Sequence, residues 1–337
     1  MLPTAERIRE VAGVDPRALP DEVLASTEPL VLRGLAADWG MVRAALESQA
    51  AATAYLRRFY KDSSVVVMSG EPAIGGRFFY NDTLSGFNFK TYRTGLDLVL
   101  GELVRFAGHS NAPSTYVGSA AIDTVLPGFR AENDFNFGSR APLASIWIGN
   151  RTRIAAHHDL PDNLACVVAG HRRFTLLPPE QLANLYVGPL DFTPAGQPIS
   201  LVDFERPDYG RFPRFAEALK AARLAELGPG DAIFIPSMWW HHIESLDAFN
   251  VLVNYWWRQS PAHMDAPIGA LMLALMTVRD LPKEQRAAWE NLFRHYVFRA
   301  GDETTAHIPE HARGSLGALD ANLVSGLREI VLARLNR

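Results

Sequence analysis

The run RIAAHHDLPDNLACVVAGHRRFTLLPP, residues 153–179, decides how this chain folds. Short apolar and β-branched bursts alternate with Gly, Pro, Asn and Asp, which reads as strands joined by turns. Near its start two histidines stand in front of an aspartate. Along a strand, residues i and i+2 share a face. Alternation therefore sets His157 beside Asp159 and turns His158 to the opposite side. An imidazole and a carboxylate so placed can supply two adjacent ligands to one divalent metal, and a third from another strand would complete a facial triad.

A second pair lies in GPGDAIFIPSMWWHHIESL, residues 228–246. Gly228, Pro229 and Gly230 read as a tight turn, Ala232 to Ile235 as a buried strand, and Pro236 as the end of regular pairing. Beyond it, alternation groups Trp239, His241 and Ile243 on one face and Trp240, His242 and Glu244 on the other. Periodicity leaves open which face points inward. Two histidines and one carboxylate leave three coordination positions free, the pattern of non-heme Fe(II) oxygenases. The remaining histidines have no partner at metal spacing and read as structural.

The same strand texture extends from residue 63 to about 262, in runs such as SSVVVMSG, PSTYVGSA, ASIWIGN and FNVLVNYWW, and predicts an all-β sandwich or barrel. RFAEALKAARLAEL, residues 214–227, reads as a helix interrupting it. Residues 1–62 read as an N-terminal α/β extension. There the first residues, MLPTAERIREV, predict a short amphipathic helix, PLVLRGL a strand and AAATAYLRRFY a helix. From 263 to 337 the chain reads helical. Pro282 is placed to open a helix carrying Trp289, Leu292, Phe293, Tyr296 and Val297 on one stripe, and Leu316, Leu319, Leu323, Leu327 and Ile330 form another. Such stripes must be buried against the sheet or against a second copy of the chain.

Bulk properties narrow the function classes. The 337 residues are 48% hydrophobic and 21% charged, with a net charge of −4 and no long basic run, which argues against nucleic acid as the main partner. A single cysteine, Cys166, excludes an intrachain disulfide framework and a cysteine-based zinc site. In the run LACVV it reads as a small buried hydrophobe. The longest apolar run, residues 266–278, is too short to span a bilayer. The expectation is a soluble, cytoplasmic protein.

The two histidine-bearing runs, together with NVLVNYWW at 250–257, resemble the cupin-like branch of the Jumonji C (JmjC) oxygenases. The resemblance covers roughly residues 25–260 and includes the asparaginyl hydroxylase acting on hypoxia-inducible factor. It implies a mainly β fold, a double-stranded β-helix (jelly roll), with N-terminal α/β additions and C-terminal helices. It implies Fe(II) held by His157, Asp159 and His241, which breaks the tie in favour of His241. It implies 2-oxoglutarate as co-substrate, with Asn163 and Asn254 lining its pocket and Tyr116 and Arg172 gripping its distal carboxylate. Arg172 stands where relatives more often carry lysine, and Ile154 where a hydroxylated residue helps hold the same group. Arginine's planar fork is not interchangeable with lysine.

The implied activity is a 2-oxoglutarate-dependent hydroxylase acting on a protein or peptide side chain, a small molecule being a further possible substrate. By the same resemblance the C-terminal helices make a homodimer. Two rival readings stand beside it. One is a metal-dependent cupin enzyme that does not use 2-oxoglutarate, an isomerase or another dioxygenase. The other is a non-catalytic metal-binding sensor module. Of the four tryptophans at 239, 240, 256 and 257, alternation allows one of each pair inside and one outside.

Overall fold

The computed structural model describes residues 5–336. Among these, fifteen strands appear in chain order. They are β1 (Glu6–Arg7), β2 (Arg9–Val11), β3 (Leu30–Leu32), β4 (Ser64–Gly70), β5 (Arg77–Phe78), β6 (Lys90–Gly95), β7 (Ser114–Ala121) and β8 (Leu143–Gly149). There follow β9 (Arg153–His157), β10 (Asp162–Ala169), β11 (Arg172–Leu177), β12 (Arg223–Leu227), β13 (Ala232–Ile235), β14 (Trp240–Ser245) and β15 (Asn250–Trp257). One sheet has six strands in the order β1-β12-β11-β14-β9-β5, the other nine in the order β2-β3-β13-β10-β15-β8-β7-β4-β6. Neighbours in the centre of both sheets run antiparallel and are far apart in sequence, the crossed topology of a jelly roll.

Alternation explains which residues meet where. On β10, Leu164, Cys166 and Val168 join the core beneath helices Gly40–Glu47, Gln49–Phe59 and Leu96–Phe106, whereas Ala165 and Val167 join the layer between the sheets. Both faces are covered, so after Asp162 and Asn163 the rest of β10 is an unbroken apolar run with no polar side. On β11, Phe174 and Leu176 point between the sheets and Leu177 packs outward near Phe215 and Trp240. The inter-sheet layer is apolar at one end and opens at the other into a cavity.

Two segments depart from the sequence reading. The first residues form β1 and β2, short strands pairing in parallel with β12 and β3, not an amphipathic helix; residues 1–4 of that expectation lie outside the described residues. Ile8 between the strands is buried, and pairing at two sheet edges outweighs the local helical pattern. Likewise 214–227 holds only a helix over Phe215–Lys220 before turning into β12. There Ala225 and Leu227 fill the inter-sheet layer opposite Phe174 and Arg172, so ladder pairing overrides the helix propensity of Ala, Leu and Glu.

The chain divides after Arg258 into two compact units. The first contains both sheets. The second, from Gln259, contains helices Ile268–Thr277, Lys283–Phe293 and Ala321–Leu335. Pro282 caps the middle one as expected, and a wider π-type turn over Arg294–Phe298 carries Tyr296 and Val297 onward. Leu316 and Leu319 precede the last helix and do not belong to its stripe. Trp289, Leu292, Tyr296 and Val297 are exposed.

Candidate metal centre

β9 ends at His157, so Asp159 is positioned by a loop and not by the pleat the sequence suggested. That loop is tied to the one preceding β14. The Met238 N–H donates to the Asp159 carbonyl at 2.9 Å, the Ser237 N–H to Asp162 Oδ1 at 2.8 Å, and the Ser237 hydroxyl to the Leu160 carbonyl. Met238 takes a left-handed backbone, φ 67°, to make this clamp. From the other side, β14 pairs with β9 so that His241 lies opposite His157. The result brings one ligand atom from each of His157, Asp159 and His241 within 4.8 Å of one another.

The ring nitrogens are sorted by their partners. His157 Nδ1 lies 2.9 Å from the Ala155 carbonyl and His241 Nδ1 lies 3.0 Å from the Trp239 carbonyl. A carbonyl can only accept, so both Nδ1 atoms carry a proton, which leaves Nε2 as the metal-facing nitrogen of each ring. His241 Nε2 is 3.6 Å from Asp159 Oδ2. Burial, reinforced by His157 alongside, pushes the His241 pKa down to about 4, which keeps the ring neutral. Two imidazoles and one carboxylate on one side of an open space are the donor set of a divalent metal with free coordination positions.

The second member of each pair looks elsewhere. His158 meets Trp240 edge-on with ring centroids 4.7 Å apart, and His242 is buried against Phe204 at 4.7 Å. The tryptophans divide as alternation allowed: Trp239 in the inter-sheet core, Trp240 in the outer core, Trp257 under the helices, Trp256 on the cavity.

The cavity between the sheets has a volume of about 330 Å³ and is lined mostly by apolar groups, Ile235, Ile243 and Leu252 among them. All seven residues singled out from the sequence, His157, Asp159, His241, Tyr116, Asn163, Arg172 and Asn254, line it. Arg172 is 1% exposed, yet its Nε and Nη2 have no hydrogen-bond partner. Its neighbour is the hydroxyl of Tyr116, whose pKa burial pushes up to about 12 against the opposing pull of the guanidinium. A buried cation with unmet donors is costly unless an anion completes it. Such a group can hold a carboxylate or similar oxyanion, four residues along β11 from the position opposite His241. Arg173, by contrast, points outward to Glu226 and Glu244 at 2.8 and 3.4 Å. Ile154 also lines the cavity and offers no hydrogen bond to such an anion.

Two features escaped the sequence reading. Trp147 on β8 lines the cavity and donates its indole N–H to Asn254 Oδ1 at 2.6 Å, and Asn254 Nδ2 donates to Asn163 Oδ1 at 3.1 Å. The loop from Gly188 to Ile199 contributes Pro194, Ala195 and Gln197, held by Phe192 stacked on Phe87 at 4.8 Å. Alternation of ASIWIGN does put Trp147 on the inward face with Ser145 and Gly149, but its partner is 107 residues away. Nothing local announces the loop.

Residues 16–263 match the family model described as a cupin-like domain. Among curated proteins the chain is 36% identical over 132 residues to a lysine-specific demethylase, JMJ31, of Arabidopsis thaliana, covering 37% of this chain and 24% of that protein. It is 30% identical over 165 residues to HSPB1-associated protein 1 of Homo sapiens, covering 47% and 33% respectively. It is 30% identical over 181 residues to tRNA wybutosine-synthesizing protein 5 of Gallus gallus, covering 49% and 52%. The matches thus span between a quarter and about half of these relatives' lengths. No helix among the described residues is long and apolar enough to cross a membrane. The family match over most of the chain, the two sheets with their inter-sheet cavity and the His-Asp-His cluster lining it converge: this chain belongs to the cupin-like domain family, of the Jumonji C type.

Proposed function

We propose that the protein is an Fe(II)- and 2-oxoglutarate-dependent oxygenase that hydroxylates an uncharged side chain of a protein or peptide. The observation that carries this reading is Arg172, a buried guanidinium with two unpaired donors in the cavity that also holds the histidine–aspartate cluster. A metal-dependent cupin working without an anionic co-substrate has no use for such a group.

In this reading His157 Nε2, an Asp159 carboxylate oxygen and His241 Nε2 hold the metal. Arg172 and the Tyr116 hydroxyl take the distal carboxylate of 2-oxoglutarate, a charge-assisted contact strengthened by the surrounding apolar wall. When bound, the iron with its co-substrate and dioxygen supplies oxidative decarboxylation to succinate and carbon dioxide coupled to conversion of C–H to C–OH. The protein's own task is orientation and dryness. Ile235, Ile243 and Leu252 keep water from the space between the metal ligands and Arg172.

The target group follows from what else lines the cavity. Among the described residues, the only carboxylate and the only Lys or Arg side chain lining the cavity are Asp159 and Arg172, both committed to metal and co-substrate in this reading. No carboxylate remains for a cationic methylated lysine, and burying an unpaired cation is unfavourable. A neutral side chain entering this cavity meets no such penalty. The exposed apolar stripe of the C-terminal helices supports a homodimer as the working form.

The test starts with metal-free protein under nitrogen. Adding Fe(II) and 2-oxoglutarate is expected to give a weak charge-transfer band at ~500 nm, because the keto acid chelates iron in an open facial site. His157→Ala abolishes the band and His158→Ala keeps it. Iron binding without the band overturns the co-substrate assignment. With the band in place, peptide arrays carrying neutral or trimethylated side chains report the target, and oxidation confined to the methylated ones refutes the uncharged assignment.

A further inference from the structure

The cavity holds a chain of three side chains whose direction is dictated by its first member. An indole N–H can only donate. Trp147 Nε1 donates to Asn254 at 2.6 Å, so the face of that amide turned toward it must be the carbonyl oxygen. The amide nitrogen of Asn254 then faces Asn163 and donates to its oxygen at 3.1 Å. This turns the side-chain oxygen of Asn163 toward Asn254. What Asn163 has left is its NH2 group, and among the described residues no hydrogen bond engages it. Asn163 lies on the cavity, four residues beyond Asp159 in the chain.

Without that first donor neither amide has a preferred sense. Asn254 could turn its nitrogen toward β8, Asn163 would reverse in response, and a carbonyl oxygen would then face the anion-binding space. Trp147 is well fixed to prevent this. It sits across β8–β15 from Leu252, diagonal to Asn254, and its ring lies between Tyr116 at 6.0 Å and Trp256 at 5.7 Å.

We propose that Trp147 is a positioning residue: its indole N–H orients the Asn254–Asn163 pair so that Asn163 presents N–H donors, and no acceptor, to the oxyanion bound in the cavity. This rests on the co-substrate reading above, since it supplies the anion. Trp147 touches the anion only through the two amides, and its contribution is the sign of the hydrogen-bonding group they show.

The test is Trp147→Phe, which keeps an aromatic ring between Tyr116 and Trp256 and removes the donor along with part of the indole. In Fe(II)-loaded protein under nitrogen, the variant is expected to bind 2-oxoglutarate about tenfold more weakly, the size of one hydrogen bond to a charged group. Its charge-transfer band is expected to shift because the bound oxyanion has lost a donor from Asn163. Wild type that binds 2-oxoglutarate no better than buffer controls overturns the co-substrate reading. Wild type that binds while Trp147→Phe binds equally well overturns the positioning role alone. Hydrogen exchange of indole protons in metal-free protein is a second readout, independent of how the variant folds. The Trp147 indole proton should exchange far more slowly than that of exposed Trp289, and Asn254→Ala should erase the difference. Exchange of Trp147 as fast as Trp289 in wild type refutes the relay.

Discussion

Replacing Arg172 with methionine should move two properties in opposite directions. The guanidinium is 1% exposed and its Nε and Nη2 are unpaired, while desolvation holds its pKa below the usual arginine range. Each unmet buried donor costs ~1–3 kcal/mol. Methionine matches the length of the stem and fills the space with a flexible apolar chain. Exchanging buried ionic groups for apolar ones of similar volume is neutral or stabilising by ~1–4 kcal/mol. Loss of the partner to the Tyr116 hydroxyl takes back ~1 kcal/mol. Metal-free Arg172→Met is therefore expected to be more stable than wild type by ~1–3 kcal/mol, a rise of a few degrees in Tm. The same change removes the cation from the anion site, and truncating one partner of a buried charge pair costs ~2–5 kcal/mol. Affinity for 2-oxoglutarate should fall from ~30-fold to several thousand-fold. Melting curves of the metal-free protein give the first quantity, and anaerobic 2-oxoglutarate titration of the Fe(II) form gives the second. The double variant Arg172→Met, Tyr116→Phe should recover the hydroxyl's share of stability. A variant less stable than wild type whose 2-oxoglutarate affinity is unchanged would refute the reasoning, because the guanidinium would then be structural.

Glu244 gives a pH-dependent expectation. Burial raises its pKa above the ordinary carboxylate range, against the pull of Arg173. A raised folded-state pKa contributes stability below about pH 4.5 that is lost as pH climbs through the folded value; relative to wild type, Glu244→Gln should gain stability across that rise, read from denaturant midpoints between acid and neutral pH, and a pH-independent difference would contradict it. Ending the chain at about residue 263 should convert a dimer to a monomer in light scattering. A full-length chain that is itself monomeric removes the dimer.

Much of the site was legible because its residues lie on strands whose inner faces alternate reliably. Alternation grouped His241 with Trp239 and Ile243 but left open which face turns inward, and it was the family resemblance that singled out His241, Arg172 and Asn254. Asp159 reached the right place by a different route, since the clamp from Ser237 and Met238 bends the loop after β9. The strands at the N-terminus and β12 were invisible locally: their residues favour helix, and only distant partners supply the ladder. Trp147 and the loop around Phe192 were hidden for the same reason. Their significance lies in contacts with residues far along the chain, at Asn254 and Phe87.

His157, His241 and Arg172 all stand on one sheet. Leu176 on β11 lies opposite His241 on β14, and Arg172 is four positions further along β11. At about 3.3 Å per residue that offset is roughly 13 Å, and it works as a yardstick between the triad and the guanidinium. A yardstick cut into strand register cannot be adjusted by small steps. A slip of one residue would carry Arg172 to the outer face with Arg173's present neighbours, and a slip of two would misplace every side chain between the sheets. On the proposed co-substrate reading, the length of dianion that would bridge the two ends is therefore set by the ladder and not by any loop.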